Sequence, residues 1–236
     1  MKFKGFNRSS LIEYPGRIVS IVFTGGCNFR CPFCHNRSLV LAPETLPDID
    51  EKEVIDYMES KKMWIDGIAI TGGEPTLQKE LPSFIKRVKE RGFLVELETN
   101  GTNPCMVEQL IKDRLVDYFA MDIKAPLEED KYFKTIGEIG DKKKILENIK
   151  KTIILIKESG ADYEFRTTFV PGLLTKEDIY TIAKQLKRSK RYAIQKFLPN
   201  TNINSEYEKK GVLKQAFFEE FKEGLKDYFD EIVIKA

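Results

Sequence analysis

Cys27, Cys31 and Cys34 stand at a C-x3-C-x2-C spacing directly after an apolar run. Three thiolates this close in sequence can wrap one metal centre, because the thiolate is the ligating form. They cannot complete a cubane of four irons. In a [4Fe–4S] centre one iron would lack a protein ligand, and chemistry could happen at that open position. Three readings compete. Structural zinc normally wants four closed ligands. Cys27, Cys31, Cys34 and His35 supply them on paper, but bonding the adjacent Cys34 and His35 to one small ion strains the backbone. A thioredoxin-like redox pair, Cys31-Pro32-Phe33-Cys34, leaves Cys27 without a role. A cluster with one open iron uses all three thiolates. Cys105 stands alone and reads as a small core residue or inert thiol.

The rest of the chain bounds where such a centre could sit. At 236 residues with 42% hydrophobic content, it fits one large α/β domain. Its anatomy reads as an N-terminal extension over 1–16, a core over 17–200, and a C-terminal helix and short strand over 201–236. A net charge of +2 implies no broad nucleic-acid footprint. There is no apolar run of membrane-spanning length, and the first residues lack a signal-peptide apolar region. A cytoplasmic location is expected. There, clustered cysteines point to metal binding or redox work rather than disulfides.

Apolar, β-rich runs alternate with helical patterns. Strands are expected over 17–23, 67–70, 93–98, 116–122, 163–170 and 192–198. Helices are expected over 51–61, 80–91, 104–112, 142–159, 175–187 and 214–229. A last short strand falls at 231–234. The polar stretch 200–211 reads as an exposed loop. Alternation of this kind implies parallel strands with right-handed crossovers. Six units are fewer than the eight of a full barrel, so the expected fold is a partial (β/α)6 barrel. Cys27, Gly72, Asn100, Lys124, Pro171 and Pro199 each follow one of these strands. In a parallel barrel those ends share one face, where active sites form.

The triad, with aromatic Phe33 just before its third cysteine, resembles the radical S-adenosylmethionine (SAM) superfamily. Thr71-Gly72-Gly73-Glu74-Pro75 is similar to that family's GGEP motif, and Glu98-Thr99-Asn100-Gly101 to its ribose-side motif. Met121-Asp122-Ile123-Lys124 and residues 166–172 resemble later SAM-contacting segments. The similarity covers roughly residues 17–200. Cys34-His35-Asn36, Ser10 to Gly16 and Phe23 to Cys27 narrow it to the activating enzymes of glycyl radical enzymes. Within these it resembles the activating proteins of anaerobic ribonucleoside-triphosphate reductases, in a longer form similar to pyruvate formate-lyase activating enzymes. With only Cys105 left over, no ferredoxin-like insertion is present.

The resemblance implies that Cys27, Cys31 and Cys34 hold three irons of a [4Fe–4S] cluster. The fourth iron would bind SAM, and an electron passed through the cluster would cleave the sulfonium bond to give a 5′-deoxyadenosyl radical. It implies SAM contacts at Phe33, Gly72, Gly73, Glu74, Glu98, Asn100, Asp122, Lys124 and Arg166. Catalytic roles fall to His35 and Lys124. A monovalent cation is implied at Glu98, Asp122 and the backbones of Thr99 and Met121. Gln195 to Pro199 would line the adenine side.

Each residue also has an ordinary reading. Gly72-Gly73 could be a strand-ending turn, and Asn100-Gly101 likewise. Lys124 could be a surface lysine. His35, the single histidine, could be structural. Arg166, inside a strand, needs a partner, which could be SAM or an internal carboxylate.

The implied partner is a glycyl radical enzyme, first an anaerobic ribonucleoside-triphosphate reductase, with flavodoxin or ferredoxin as electron donor. No nucleic-acid or membrane partner is expected. The alternative is a radical SAM enzyme of a small molecule, of the 7-carboxy-7-deazaguanine synthase kind. A metal-stabilised binding module without catalysis is a third possibility.

Overall fold

A computed structural model describes residues 1–235. Its centre is an eight-stranded sheet whose strand order decides the architecture. The strands in it are β2 (Gly5–Ser10), β3 (Val19–Thr24), β5 (Gly67–Gly72), β6 (Leu94–Thr99), β7 (Tyr118–Asp122), β8 (Asp162–Phe169), β9 (Ser189–Lys196) and β10 (Phe229–Lys235). From β3 to β10 every strand is parallel and joins the same growing edge, so the order never reverses. Right-handed crossovers that always step one way put every connecting helix on one face of the sheet. The result is a partial barrel, with helices outside and a concave face inside, rather than a doubly wound sheet.

Two edges depart from expectation. The short strand expected at 231–234 is the full β10, a seventh parallel strand beyond the six expected. Residues 1–16 are not merely packed at an edge. β2 pairs antiparallel with β3 and closes that side of the sheet, while β1 (Lys2–Phe3) pairs with β4 (Ile49–Asp50).

The helices are α1 (Arg37–Leu41), α2 (Glu51–Ser60), α3 (Leu81–Glu90), α4 (Pro104–Lys112), α5 (Glu129–Thr135), α6 (Lys142–Glu158), α7 (Lys176–Leu186) and α8 (Gln215–Leu225). Side-chain caps set four of the eight starts, Asp141 on α6 among them. Asp50 accepts from Lys52 N, Asn103 from Met106 N, and Thr175 and Asp178 form a reciprocal capping box on α7. Short α1 and α5 were not expected from the pattern. No described helix is long and apolar enough to cross a membrane.

Strand alternation sorts the residues. Val95 and Leu97 of β6, and Phe119 and Met121 of β7, pack into the large cluster under the helices. Their neighbours Glu96, Glu98, Tyr118, Ala120 and Asp122 face the concave side. There Tyr14, from the loop after β2, packs on Tyr118 with ring centroids 5.1 Å apart. A small cluster of Tyr14, Val19, Ile21, Ala69, Tyr118 and Ala120 fills the lower part of that face. Above it the strand ends stay open.

Candidate active site

The open end holds a cavity of about 400 Å³, within the usual size of small-molecule sites, about 300–1,000 Å³. Its wall contains Cys27, Cys31, Phe33, Cys34, His35, Gly72, Gly73, Glu74, Glu98, Asn100, Asp122, Lys124 and Arg166, all singled out from sequence, whereas Met121 and Pro199 do not line it. Each comes from the C-terminal half of a strand or the loop after it.

The cysteine loop turns once on itself, with Cys34 N donating to Cys31 O at 3.0 Å. Its first half rests on the loops after β5 and β6. Gly73 N donates to Thr24 O at 2.9 Å and Glu74 N to Gly26 O at 2.8 Å. This contact explains the paired glycines. Gly72 has φ +112°, and a Cβ there would lie 2.5 Å from Thr24 N; a Cβ on Gly73 would lie 1.8 Å from Gly26 O. The close approach is therefore to the chain's own backbone.

Asn100 has a similar task. Its Nδ2 donates to Asn28 Oδ1 at 2.8 Å, its Oδ1 accepts from Thr102 N, and Asn28 Nδ2 donates to Thr102 Oγ1 at 2.8 Å. Glu74, almost fully buried, accepts from Thr76 N, Thr99 Oγ1 and Asn100 N. Burial raises its pKa, while the hydrogen bonds from Thr76, Asn100 and Thr99 oppose that rise. It braces the two loops against each other.

The second half of the cysteine loop is held from far away. Asn202 Nδ2 donates to Phe33 O at 2.7 Å, Ile203 N to Cys34 O at 3.0 Å, and Asn204 N to Pro32 O at 2.9 Å. The stretch 200–211 is thus not a plain exposed loop: Asn202 is fully buried, because its amide satisfies a carbonyl that would otherwise have no partner.

Opposite the cysteines lies a charged group. Arg166, 3% exposed, donates from Nη1 to Glu98 Oε1 at 2.7 Å and from Nε to Asp122 Oδ1 at 2.9 Å. Lys124 Nζ donates to Asp122 Oδ2 at 2.8 Å, and Thr71 Oγ1 to Glu98. Of the two partners open to Arg166, the structure supplies the internal carboxylates. Lys124 is not a surface lysine, since its side chain is largely buried. Burial works against the Asp122 charge, but Arg166 and then Lys124 outweigh it and hold the carboxyl down to about 2. Glu98 is lowered too, with burial again overcome by Arg166. The Lys124 ammonium is raised because Asp122 outweighs the cost of its burial. His35 lines the cavity but is exposed to solvent at the rim.

All four cysteines are free thiols. Burial pushes Cys27 up to about 11 and Cys31 up to about 12, and raises Cys34. Buried thiols with no cationic partner in contact keep their protons; a cationic centre that displaced those protons would relieve this. Among the described residues, no three histidine, cysteine, aspartate or glutamate side chains gather close enough for one metal ion. Cys27, Cys31 and Cys34 all line the cavity, and three thiolates there suit a cluster with one open iron. Cys105 is exposed, not a core residue.

Several lining residues were given no site role from sequence: Thr71, Thr168 and Glu13, which lie within quoted motifs, and Lys235, which does not. Thr71 and Thr168 lie on the same concave face as Glu98 and Arg166, so period-two alternation could have found them. Glu13 comes from the loop that carries Tyr14, and nothing local marks it as a neighbour of the cavity.

A sequence profile described as the radical SAM superfamily matches residues 21–189. The chain belongs to the radical SAM superfamily. It is a radical SAM enzyme, and the family implies a [4Fe–4S] cluster and SAM. A Methanocaldococcus jannaschii protein, provisionally named a glycyl-radical enzyme activating enzyme, is 39% identical over 228 residues, covering 96% of this chain and 92% of that protein. The pyruvate formate-lyase-activating enzyme of Clostridium pasteurianum is 28% identical, over 84% of this chain and 82% of the relative. A 7-carboxy-7-deazaguanine synthase of Thermoplasma acidophilum is 29% identical over 66% of this chain and 69% of that enzyme. Among solved structures, a radical SAM methyltransferase from Sphaerobacter thermophilus superposes with a TM-score of 0.70 at 16% identity, over 94% of this chain and 67% of that one. Streptococcus suis SuiB superposes with a TM-score of 0.68 at 16% identity, over 92% of this chain, which spans only 48% of SuiB. These two likenesses bear on the radical SAM fold alone.

Proposed function

We propose that this radical SAM chain is an activating enzyme that removes a hydrogen atom from a glycine of a partner enzyme and leaves a glycyl radical there. The observation that carries this reading is the 39% identity with the M. jannaschii protein across 96% of the chain. The synthase match, on which a small-molecule substrate would rest, covers only 66%.

In this reading Cys27, Cys31 and Cys34 hold the cluster. Bound there, the cluster supplies the electron that cleaves SAM and so provides the radical that takes the hydrogen. The protein's own residues bind, orient and shield. Gly72, Gly73 and Glu74 set the height of the loop beside the first cysteine, and Asn100 locks Asn28 in place. Phe33, buried in the cavity wall, helps keep water from the site. Lys124 offers positive charge toward a SAM carboxylate, and His35 at the rim faces the incoming substrate. Glu98 and Asp122 already face two cationic side chains, so we propose that Arg166 and Lys124 take the place of the monovalent cation that the resemblance implies. The partner proposed first is an anaerobic ribonucleoside-triphosphate reductase, with flavodoxin or ferredoxin as donor.

The test is anaerobic reconstitution with iron and sulfide, then reduction with SAM and each candidate partner. A glycyl radical signal in electron paramagnetic resonance, lost when the partner's glycine is replaced by alanine, is the expected result. SAM cleavage that responds only to a small molecule would overturn the proposal.

A further inference from the structure

The cysteine loop is held in two halves by unrelated parts of the chain. Gly26 and Asn28, around Cys27, are fixed by the loops after β5 and β6. The turn from Pro32 to Cys34 is fixed by residues 202–204. In that turn three consecutive carbonyls, of Pro32, Phe33 and Cys34, each accept one hydrogen bond from three consecutive residues. Two of the donors are backbone amides, which any sequence would supply. The third is the Asn202 side chain, so the identity of that residue matters.

Asn202 is completely buried. Its Nδ2 serves Phe33 O at 2.7 Å, while its Oδ1 has no partner. The residue before it, Thr201, has φ +49°. A β-branched side chain in the left-handed region is an outlier that persists when the surroundings enforce it. The chain is thus bent against its preference to bring Asn202 beneath Phe33.

We propose that Asn202 is a positioning residue for Cys31 and Cys34. With the Ile203 and Asn204 amides it sets the direction of the C-x2-C turn, and so aims the second and third thiols into the cavity independently of the first. This rests on the cluster reading for its purpose but not for its geometry. Leu198, four residues upstream, lines the same cavity, so one short segment forms both part of the wall and the clamp.

The test compares the full-length chain with its Asn202→Ala and Asn202→Asp variants. Asp keeps the size but presents an acceptor to Phe33 O. In the metal-free chain, alkylation of each cysteine is followed by mass spectrometry. In both variants Cys31 and Cys34 should label faster than wild type by about tenfold, the effect of one lost buried hydrogen bond. Cys27 and exposed Cys105 should keep their wild-type rates. After anaerobic reconstitution, the reduced cluster of each variant should give an altered paramagnetic resonance line shape. Unchanged Cys31 and Cys34 rates in both variants would overturn the proposal. So would a rise at Cys27 equal to that at Cys31, which would mean general loosening. A wild-type chain that binds no iron, with the labelling shift intact in the variants, would sink the cluster reading and leave the clamp standing.

Discussion

Asp122 and Arg166 are Cα partners across β7 and β8, and their side chains meet at 2.9 Å between Oδ1 and Nε. The register of two parallel strands therefore places the ion pair. Glu98 on β6 and Lys124 just past β7 complete a largely buried set of two negative and two positive groups. Removing one member of such a set strands its partners.

Arg166→Ala should therefore destabilise the fold by about 3–5 kcal/mol, read from urea denaturation at pH 7. Arg166→Lys, which keeps charge but not the two-pronged geometry, should fall between. An Ala variant as stable as wild type would mean that the pairs contribute little.

The same set predicts an acid limit. The Asp122 carboxyl is held down to about 2, and Glu98 is lowered as well. A depressed pKa contributes stability that is present above the unfolded value, about 4, and is lost as pH falls through the folded value. Stability measured between pH 5 and pH 2 should drop steeply, and Asp122→Asn should flatten that drop while lowering stability at pH 7.

Glu96 acts in the opposite sense. It is fully buried on the concave face, neither oxygen has a hydrogen-bond partner, and burial followed by the Glu98 charge raises its pKa. Above the unfolded value the folded chain retains a proton that the unfolded chain releases, so stability falls as pH rises, by up to about 1.4 kcal/mol per pH unit. Glu96→Gln should remove this decline and make the variant the more stable chain at pH 8. Parallel pH profiles would refute it.

Gly73→Ala would put a Cβ 1.8 Å from Gly26 O. The loop must shift, at a cost of about 1–3 kcal/mol, and Cys27 with it. Thermal melting and iron content after anaerobic reconstitution should both fall. Normal iron loading would show that the cysteine loop does not depend on this contact.

Single Cys27→Ala, Cys31→Ala and Cys34→Ala variants should each lose most iron and all SAM cleavage, whereas Cys105→Ala should match wild type. Iron analysis and deoxyadenosine release check this. Equal loss in Cys105→Ala would point to a different ligand set.

Strands, crossovers and the strand-end residues were legible because they are local: period-two apolar runs, capping residues such as Asp50, Asn103 and Thr175, and short motifs such as Thr71 to Pro75. What those residues touch was not. The glycines at 72 and 73 read as room for a ligand; that they also make room for the backbones of Thr24 and Gly26 depends on contacts far away in sequence. Asn100 reads as a ligand contact, and nothing local shows that it also hydrogen-bonds Asn28 and Thr102. The stretch 200–211 is polar and so reads as solvated. Asn202 is buried only because its partner, 169 positions earlier, arrives beside it in the fold. Helices α1 and α5, of five and seven residues, are too short to show a period.

The clamp at residues 202–204 also sets an order of events in biosynthesis. A ribosome delivers the three cysteines well before the segment that fastens Pro32, Phe33 and Cys34, which emerges only after β9. Until then the second and third thiols hang on a turn with one of its two supports missing. On the clamp proposal, the aim of these thiols is set only once the segment after β9 has been made, and a truncation before Asn202 would leave a nascent chain with its cysteines but without the means to aim them.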